Sequence, residues 1–282
     1  MRLTERDKKI VLAVYQYRLL SSEQIEVLLF HSPKPHSKRS VCRLRLQLLY
    51  HHGFLDRLQL PVVMGEGRSH FVYALDKEGA NLTANELGIA REKVGWKPSY
   101  NQVKPLFLDH TLAVNTVRVV LALLERASLL TVEQWVDEVS LQSKQYRDKV
   151  PYRMRGARIE RAFPDGYYAI STPGASRSAH FFLEADQGTM TNTRWAGKIE
   201  AYVHFRSSSL AQKHYGTRNF RLLTVTTSQR RLDNLKQTTE GAGGDRYFWF
   251  TTKDQVDIWE PEKLLGKVWE VATRENTFSL FV

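Results

Sequence analysis

The sequence predicts an α+β/α/β chain of two domains, an amino-terminal domain of three helices with a β-hairpin and a larger domain built on a mixed sheet. Three observations carry this reading. Apolar residues recur at helical spacing three times within the first 52 positions, and alternating apolar strands follow at once. A turn-rich stretch then interrupts the chain near residue 100, and beyond it extended runs alternate with helical ones.

Thr4 with Asp7 makes a capping pair ahead of Ile10, Val11, Val14 and Tyr17, which places a first helix over 4–19. Ser21 and Ser22 cap a second over 23–30. Pro33 and Pro35 break the chain before a third over 37–52, which Gly53 ends. Residues 54–63, the turn Gly65-Glu66-Gly67 and residues 69–75, with Phe71, Tyr73 and Leu75 alternating, read as a hairpin. Three helices followed by a hairpin make a winged helix-turn-helix domain, assigned to 1–92 with the helix at 76–88. Residues 93–105 read as a linker. A long apolar helix over 106–127 opens the second domain, 106–282, with strands expected at 130–136, 167–170, 180–185, 220–226 and 247–251. Helices are expected at 194–205, 229–238 and 261–273.

Forty-one Lys and Arg against thirty Asp and Glu leave +11, a surplus that favours polyanions through counterion release. Residues 1–60 hold eleven of the cations and five of the acids, so +6 lies in the first fifth of the chain. Double-stranded DNA is the expected partner. With Val41, Leu44 and Leu48 turned to the core at 100° per residue, Arg39, Arg43, Gln47 and Tyr50 face away. Together with Lys38, and with Arg68 at the hairpin tip, they form the expected DNA-reading surface. A homodimer would match palindromic sites.

One cysteine, Cys42, excludes a disulfide framework and a cysteine zinc cluster, and is read as a packing or flank residue rather than a nucleophile. The nine histidines show no ligand spacing, and neither a phosphate-binding Gly-x-x-x-x-Gly-Lys loop nor a Gly-x-Ser-x-Gly turn is present. No stretch is read as approaching the ~20 apolar residues of a bilayer span, and no signal peptide opens the chain, so no membrane is expected and a cytoplasmic location is.

Asp165 leads one predicted strand and Glu184 closes the next. In an antiparallel pair these acids lie at one end, where their oxygens could hold a divalent cation. Asp186 shares the side of Glu184 by the strand period of two. The following helix carries Lys198, with Trp195, Ile199 and Tyr202 spaced to pack it on the sheet.

Pro164-Asp165 followed by Glu184-Ala185-Asp186 resembles the PD-(D/E)XK nuclease pattern. The whole chain resembles the replication-relaxation family of plasmids and mobile elements. The residues that carry the likeness are Asp109-His110, Trp135 with Glu138, Pro164-Asp165-Gly166, Glu184-Ala185-Asp186 with Gly188-Thr189, and the helix bearing Lys198 and Tyr202. The resemblance implies a PD-(D/E)XK nuclease-like domain in which Asp165 and Glu184 bind Mg or Mn and Glu138 adds an acid from an earlier element. The pattern's lysine position is taken by Asp186, and Lys198 would supply the amine from the next helix. Two readings stay open. One is a metal-dependent endonuclease or nickase serving plasmid replication, transfer or transposition. The other is a catalytically inactive winged-helix regulator or recruitment factor that binds duplex DNA and other mobile-element proteins.

Overall fold

The computed structural model describes residues 2–31, 38–59 and 71–281, and the hairpin tip with Arg68 lies outside them. The chain forms two compact units, Met1–Val119 and Val120–Val282. The division falls inside a helix rather than at 93–105.

The first unit runs α1 (Glu5–Tyr17), β1 (Leu19–Ser21), α2 (Ser22–Leu29), α3 (Arg39–His51), β2 (Leu55–Gln59), β3 (Phe71–Leu75) and α4 (Lys77–Leu87). Reciprocal capping starts α1, where the Thr4 hydroxyl accepts from the Asp7 amide at 3.3 Å and the Thr4 amide donates to Asp7 Oδ2 at 2.7 Å. Ser21 and Gln24 repeat the arrangement for α2. The short β1, absent from the sequence reading, completes an antiparallel sheet of order β1-β3-β2. The stretch read as a linker takes in the end of one 3₁₀ turn, Arg91–Val94, and all of another, Pro98–Asn101, and Asn101 donates from it to the Leu75 carbonyl at 2.9 Å and to Asp56 at 3.0 Å. Val103, Leu108 and Leu112 close over Leu19, Val72 and Ala74, so these residues belong to the packed unit.

α3 is rotated from the expected orientation. Cys42, Leu46 and Leu49 are buried, whereas Val41 and Leu44 are 50% and 56% exposed. The helix offers two apolar sets at three-to-four spacing, and a polar contact decides between them. Arg45 grips the fully buried Asp7 through Nε to Oδ1 at 2.8 Å and through a second, closer contact of Nη2 with Oδ2. A buried carboxylate needs a partner, and bringing Arg45 to it turns Cys42, Leu46 and Leu49 inward.

Gly53, at φ +70°, ends the helix. Gly79 of α4 lies so close to the chain that a Cβ there would fall 2.0 Å from the Phe54 carbonyl oxygen. Gly79→Ala is therefore expected to destabilise this unit by about 2 kcal/mol, read as a lowered denaturation midpoint. Wild-type stability in that variant would show that the carbonyl yields.

A 22-residue helix, α5 (Pro105–Arg126), spans the division between the units. By length and composition it is long and apolar enough to cross a bilayer, which corrects the expectation that no stretch approaches that size. Within the first unit its Asn115 donates to the carbonyls of Tyr17 and Leu19, at 3.0 and 2.6 Å.

The second unit continues with β4 (Thr131–Asp137), α6 (Glu138–Gln142), β5 (Tyr152–Arg155), β6 (Arg158–Arg161), β7 (Gly166–Ser171) and β8 (Ala179–Ala185). After these come α7 (Asn192–Ser207), α8 (Leu210–Tyr215), β9 (Phe220–Thr226), α9 (Gln229–Gly241), β10 (Phe248–Thr252), β11 (Trp269–Val271) and β12 (Thr277–Phe278). Seven strands form one mixed sheet of order β12-β11-β10-β9-β8-β7-β4, with β8, β9 and β10 parallel. The parallel pairs require crossover helices, which α7 and α9 supply. Tyr167, Phe182, Trp195, Tyr202, Phe205 and Phe220 fill the core beneath α7, and the Trp195 indole donates to Thr239 of α9 at 2.9 Å.

The helix expected over 261–273 does not form. Pro261–Leu265 is a 3₁₀ turn, and Trp269 enters β11 with its indole donating to the Leu264 carbonyl at 2.8 Å. Gly266 ends the turn, and pairing with β10 takes up the backbone groups beyond it.

Candidate active site

The β7–β8 register pairs Gly166 with Leu183, so Asp165 and Glu184 sit at the same end of the sheet. The Asp165 amide donates to the Leu183 carbonyl at 3.0 Å, and Asp165 Oδ2 accepts from the Ala185 amide at 2.7 Å. That reciprocal clasp fixes one acid against the strand carrying the other. Glu184, on the side of the sheet covered by α7, receives the Lys198 ammonium on Oε2 and the Tyr202 hydroxyl on Oε1, the latter at 2.8 Å. Lys198 and Tyr202 are one helical turn apart, so a single face of α7 delivers both donors. Glu138 follows the Asp137 cap of α6, and its carboxylate oxygen lies within 4.8 Å of that of Asp165.

Burial is the largest influence on Glu184 and pushes its carboxyl up to about 7, with Asp165 adding to the rise while Lys198 and Tyr202 oppose it. Burial pulls the Lys198 ammonium the other way, but Glu184, Asp165 and Glu138 outweigh it and hold Lys198 above its usual value. The geometry favours a charged Lys198, because its ammonium bonds the Glu184 carboxylate directly and also feels the charges of Asp165 and Glu138. The lysine side chain is 14% exposed and that of Glu184 4%, so little water screens the contact.

Asp186 stands apart from this cluster. Its carboxylate accepts Arg231 Nε and Nη2, both at 2.9 Å, the Thr226 hydroxyl at 2.7 Å and the Gly188 amide at 3.2 Å. Arg231 also donates to the Met190 carbonyl at 2.7 Å. Asp186 thus pins the loop leading to α7 onto α9. The strand period alone does not reveal this, because Arg231 lies 45 residues downstream.

In the first unit Arg39, Arg43 and Gln47 are exposed on α3, as is Lys38 before it. Tyr50 is half-buried under Arg57, whose guanidinium stands 4.4 Å from the Tyr50 ring and 4.3 Å from that of Phe71. The rotation of α3 leaves Val41 and Leu44 on the exposed side as well, mixing apolar and hydrogen-bonding groups there. Cys42 is buried, and burial pushes its thiol up to about 12, far from a nucleophile's range.

The model of one family, described as replication-relaxation, matches residues 12–219. No curated protein and no solved structure matches the chain.

Proposed function

Given that the chain belongs to the replication-relaxation family, and so among proteins tied to the replication of mobile elements, we propose that it binds duplex DNA and hydrolyses phosphodiester bonds in it. The first unit would serve as a winged helix reading DNA through α3, and the second as a PD-(D/E)XK-like domain. The observation that carries the reading is the meeting of Asp165, Glu184 and Lys198 at one sheet end, with Glu138 beside them.

The donor set suits a hard divalent cation. Asp165, Glu184 and Glu138 offer carboxylate oxygens, the ligands Mg or Mn prefer, and a cation's charge would oppose the burial that chiefly raises Glu184 as well as the repulsion Asp165 adds. Asp165 and Glu184 would hold the ion, which when bound polarises a phosphate oxygen and promotes ionisation of water. Lys198 supplies a buried positive charge where the phosphate gains negative charge in the transition state. Tyr202 fixes the Glu184 carboxylate. Hydrolysis forms a bond from water oxygen to phosphorus and releases a sugar oxygen, which leaves with a proton.

Supercoiled plasmid incubated with the protein and Mg or Mn is expected to become nicked or linear, and Glu184→Gln is expected to abolish the conversion. Intact plasmid under all conditions would sink the cleavage reading. It would favour an inactive regulator or recruitment factor, for which one observation speaks: Asp186, standing where the nuclease pattern has its lysine, is engaged by Arg231. For the first unit, Arg39→Ala and Arg43→Ala are each expected to weaken duplex binding on the order of tenfold without lowering the melting temperature, since both side chains are exposed. Unchanged affinity would place the DNA surface elsewhere.

A further inference from the structure

We propose that β5, β6 and the first turns of α7 form a second DNA-backbone groove, separate from α3, that seats a strand beside Lys198. The inference rests on the cleavage reading for its purpose and on the groove's own geometry for its existence. The groove encloses about 550 Å³, and Arg153, Arg155, Arg158, Arg161, Arg194 and Lys198 line it, with Glu160 as its acid among the described residues.

The hairpin is built to present these cations. Its register sets Arg155 directly opposite Arg158 and Arg153 opposite Glu160, which puts three guanidinium groups on one face. Like charges across a strand pair oppose folding, and the one acid on this face among the described residues, Glu160, interacts with Arg153, Arg155 and Arg158 together, which leaves the face with net positive charge. Arg153 is a fixed wall. It bonds Glu160 at 2.8–3.0 Å and Glu200 of α7 at 2.5 Å, and its guanidinium lies against Gly197, where a Cβ would come within 2.5 Å of it. A side chain at this position would push the Arg153 guanidinium away from the place where it joins the hairpin to α7. Arg161 is engaged by Asp148 at 2.8 Å. Arg155, Arg158 and Arg194 remain exposed to solvent, Arg155 by 77% of its side chain and 3.7 Å from Glu160.

Lys198 ties the groove to the acid cluster, because the same side chain lines the groove and bonds Glu184. An extended row of arginines leading to that lysine fits a chain of phosphodiesters better than a single small anion, since each guanidinium can take a separate phosphate.

The test uses the full chain with Arg39→Ala and Arg43→Ala, in chelator so that no strand is cut, titrated with a short duplex at several salt concentrations. Residual binding is expected. Adding Arg155→Ala, Arg158→Ala and Arg194→Ala is expected to weaken it at least tenfold at about 100 mM salt and to flatten the salt dependence by roughly 0.9 in log–log slope for each phosphate no longer neutralised. Affinity and slope unchanged by the three substitutions would overturn the groove, as would the absence of residual binding in the parent. If the alanine variant melts lower than its parent, the three glutamine replacements carry the same test. Plasmid nicking by wild type separates the two proposals: groove binding without nicking rejects only cleavage, and nicking without groove binding rejects only the groove.

Discussion

Lys198→Met is expected to lower the stability of the second unit by about 3 kcal/mol in chelator, and millimolar Mn is expected to restore a large part of it. The lysine is the positive charge in contact with Glu184, beside Asp165 and Glu138, in a site that is nearly closed to water. Removing one partner of a buried pair leaves an uncompensated charge, which costs about 3–5 kcal/mol where no relief exists. Methionine keeps much of the side-chain volume, so the loss reports charge rather than a cavity. A cation binding the folded state then contributes RT ln(1 + [L]/Kd), about 2.7 kcal/mol at 100 times Kd. Thermal melts of wild type, Lys198→Met and Lys198→Met with Asp165→Ala, with chelator or Mn, check this. Rescue that survives Asp165→Ala would remove Asp165 from the ion's ligands, and no rescue in Lys198→Met would sink the cation site altogether.

What could be read of this site from the sequence followed from short-range geometry. An antiparallel hairpin fixes which strand ends meet, so Asp165 and Glu184 could be placed together before the sheet was known. Helical spacing accounts for Tyr202 as a residue packing α7 on the sheet, but its bond to Glu184 beside Lys198 is seen only in the folded structure. Sequence pattern and structure part where long-range contacts choose among equivalent local patterns. The rotation of α3 depended on Asp7, which is 38 residues away from the Arg45 it recruits. Asp186 obeyed the strand period yet joined Arg231, and nothing near either residue signals that pairing. The β5–β6 hairpin carries no apolar alternation to mark it in the sequence, because arginine alternates there with mixed residues. Over 261–273 apolar spacing suggested a helix, but the pairing of β11 with β10 prevailed.

Arg45→Leu is expected to cost the first unit about 3–5 kcal/mol at neutral pH, the penalty for stranding the buried Asp7 carboxylate, and to reverse the acid dependence of its stability. In wild type, burial is the largest influence on Asp7 and pushes its carboxyl up, but the bonds from Arg45 and from the Thr4 amide and hydroxyl prevail and hold it below the usual aspartate range. A lowered folded pKa means that the unfolded chain binds the proton first. The contribution of Asp7 is therefore fully present above about pH 3.9 and is lost as pH falls through the lowered folded value. Without Arg45 only the Thr4 bonds oppose burial, and the folded carboxyl is expected to rise above the unfolded one. Stability of the variant should then improve as pH falls from neutrality, because protonation removes the stranded charge. Denaturant unfolding of wild type, Arg45→Leu and Asp7→Asn with Arg45→Leu, from about pH 7 to about pH 3, measures this. The double variant has no carboxylate to strand, so it should recover much of the loss at neutral pH and show no such recovery on acidification. If Arg45→Leu loses stability on acidification as wild type does, Arg45 is not what keeps Asp7 charged, and the contact that sets the rotation of α3 must be sought elsewhere on the helix.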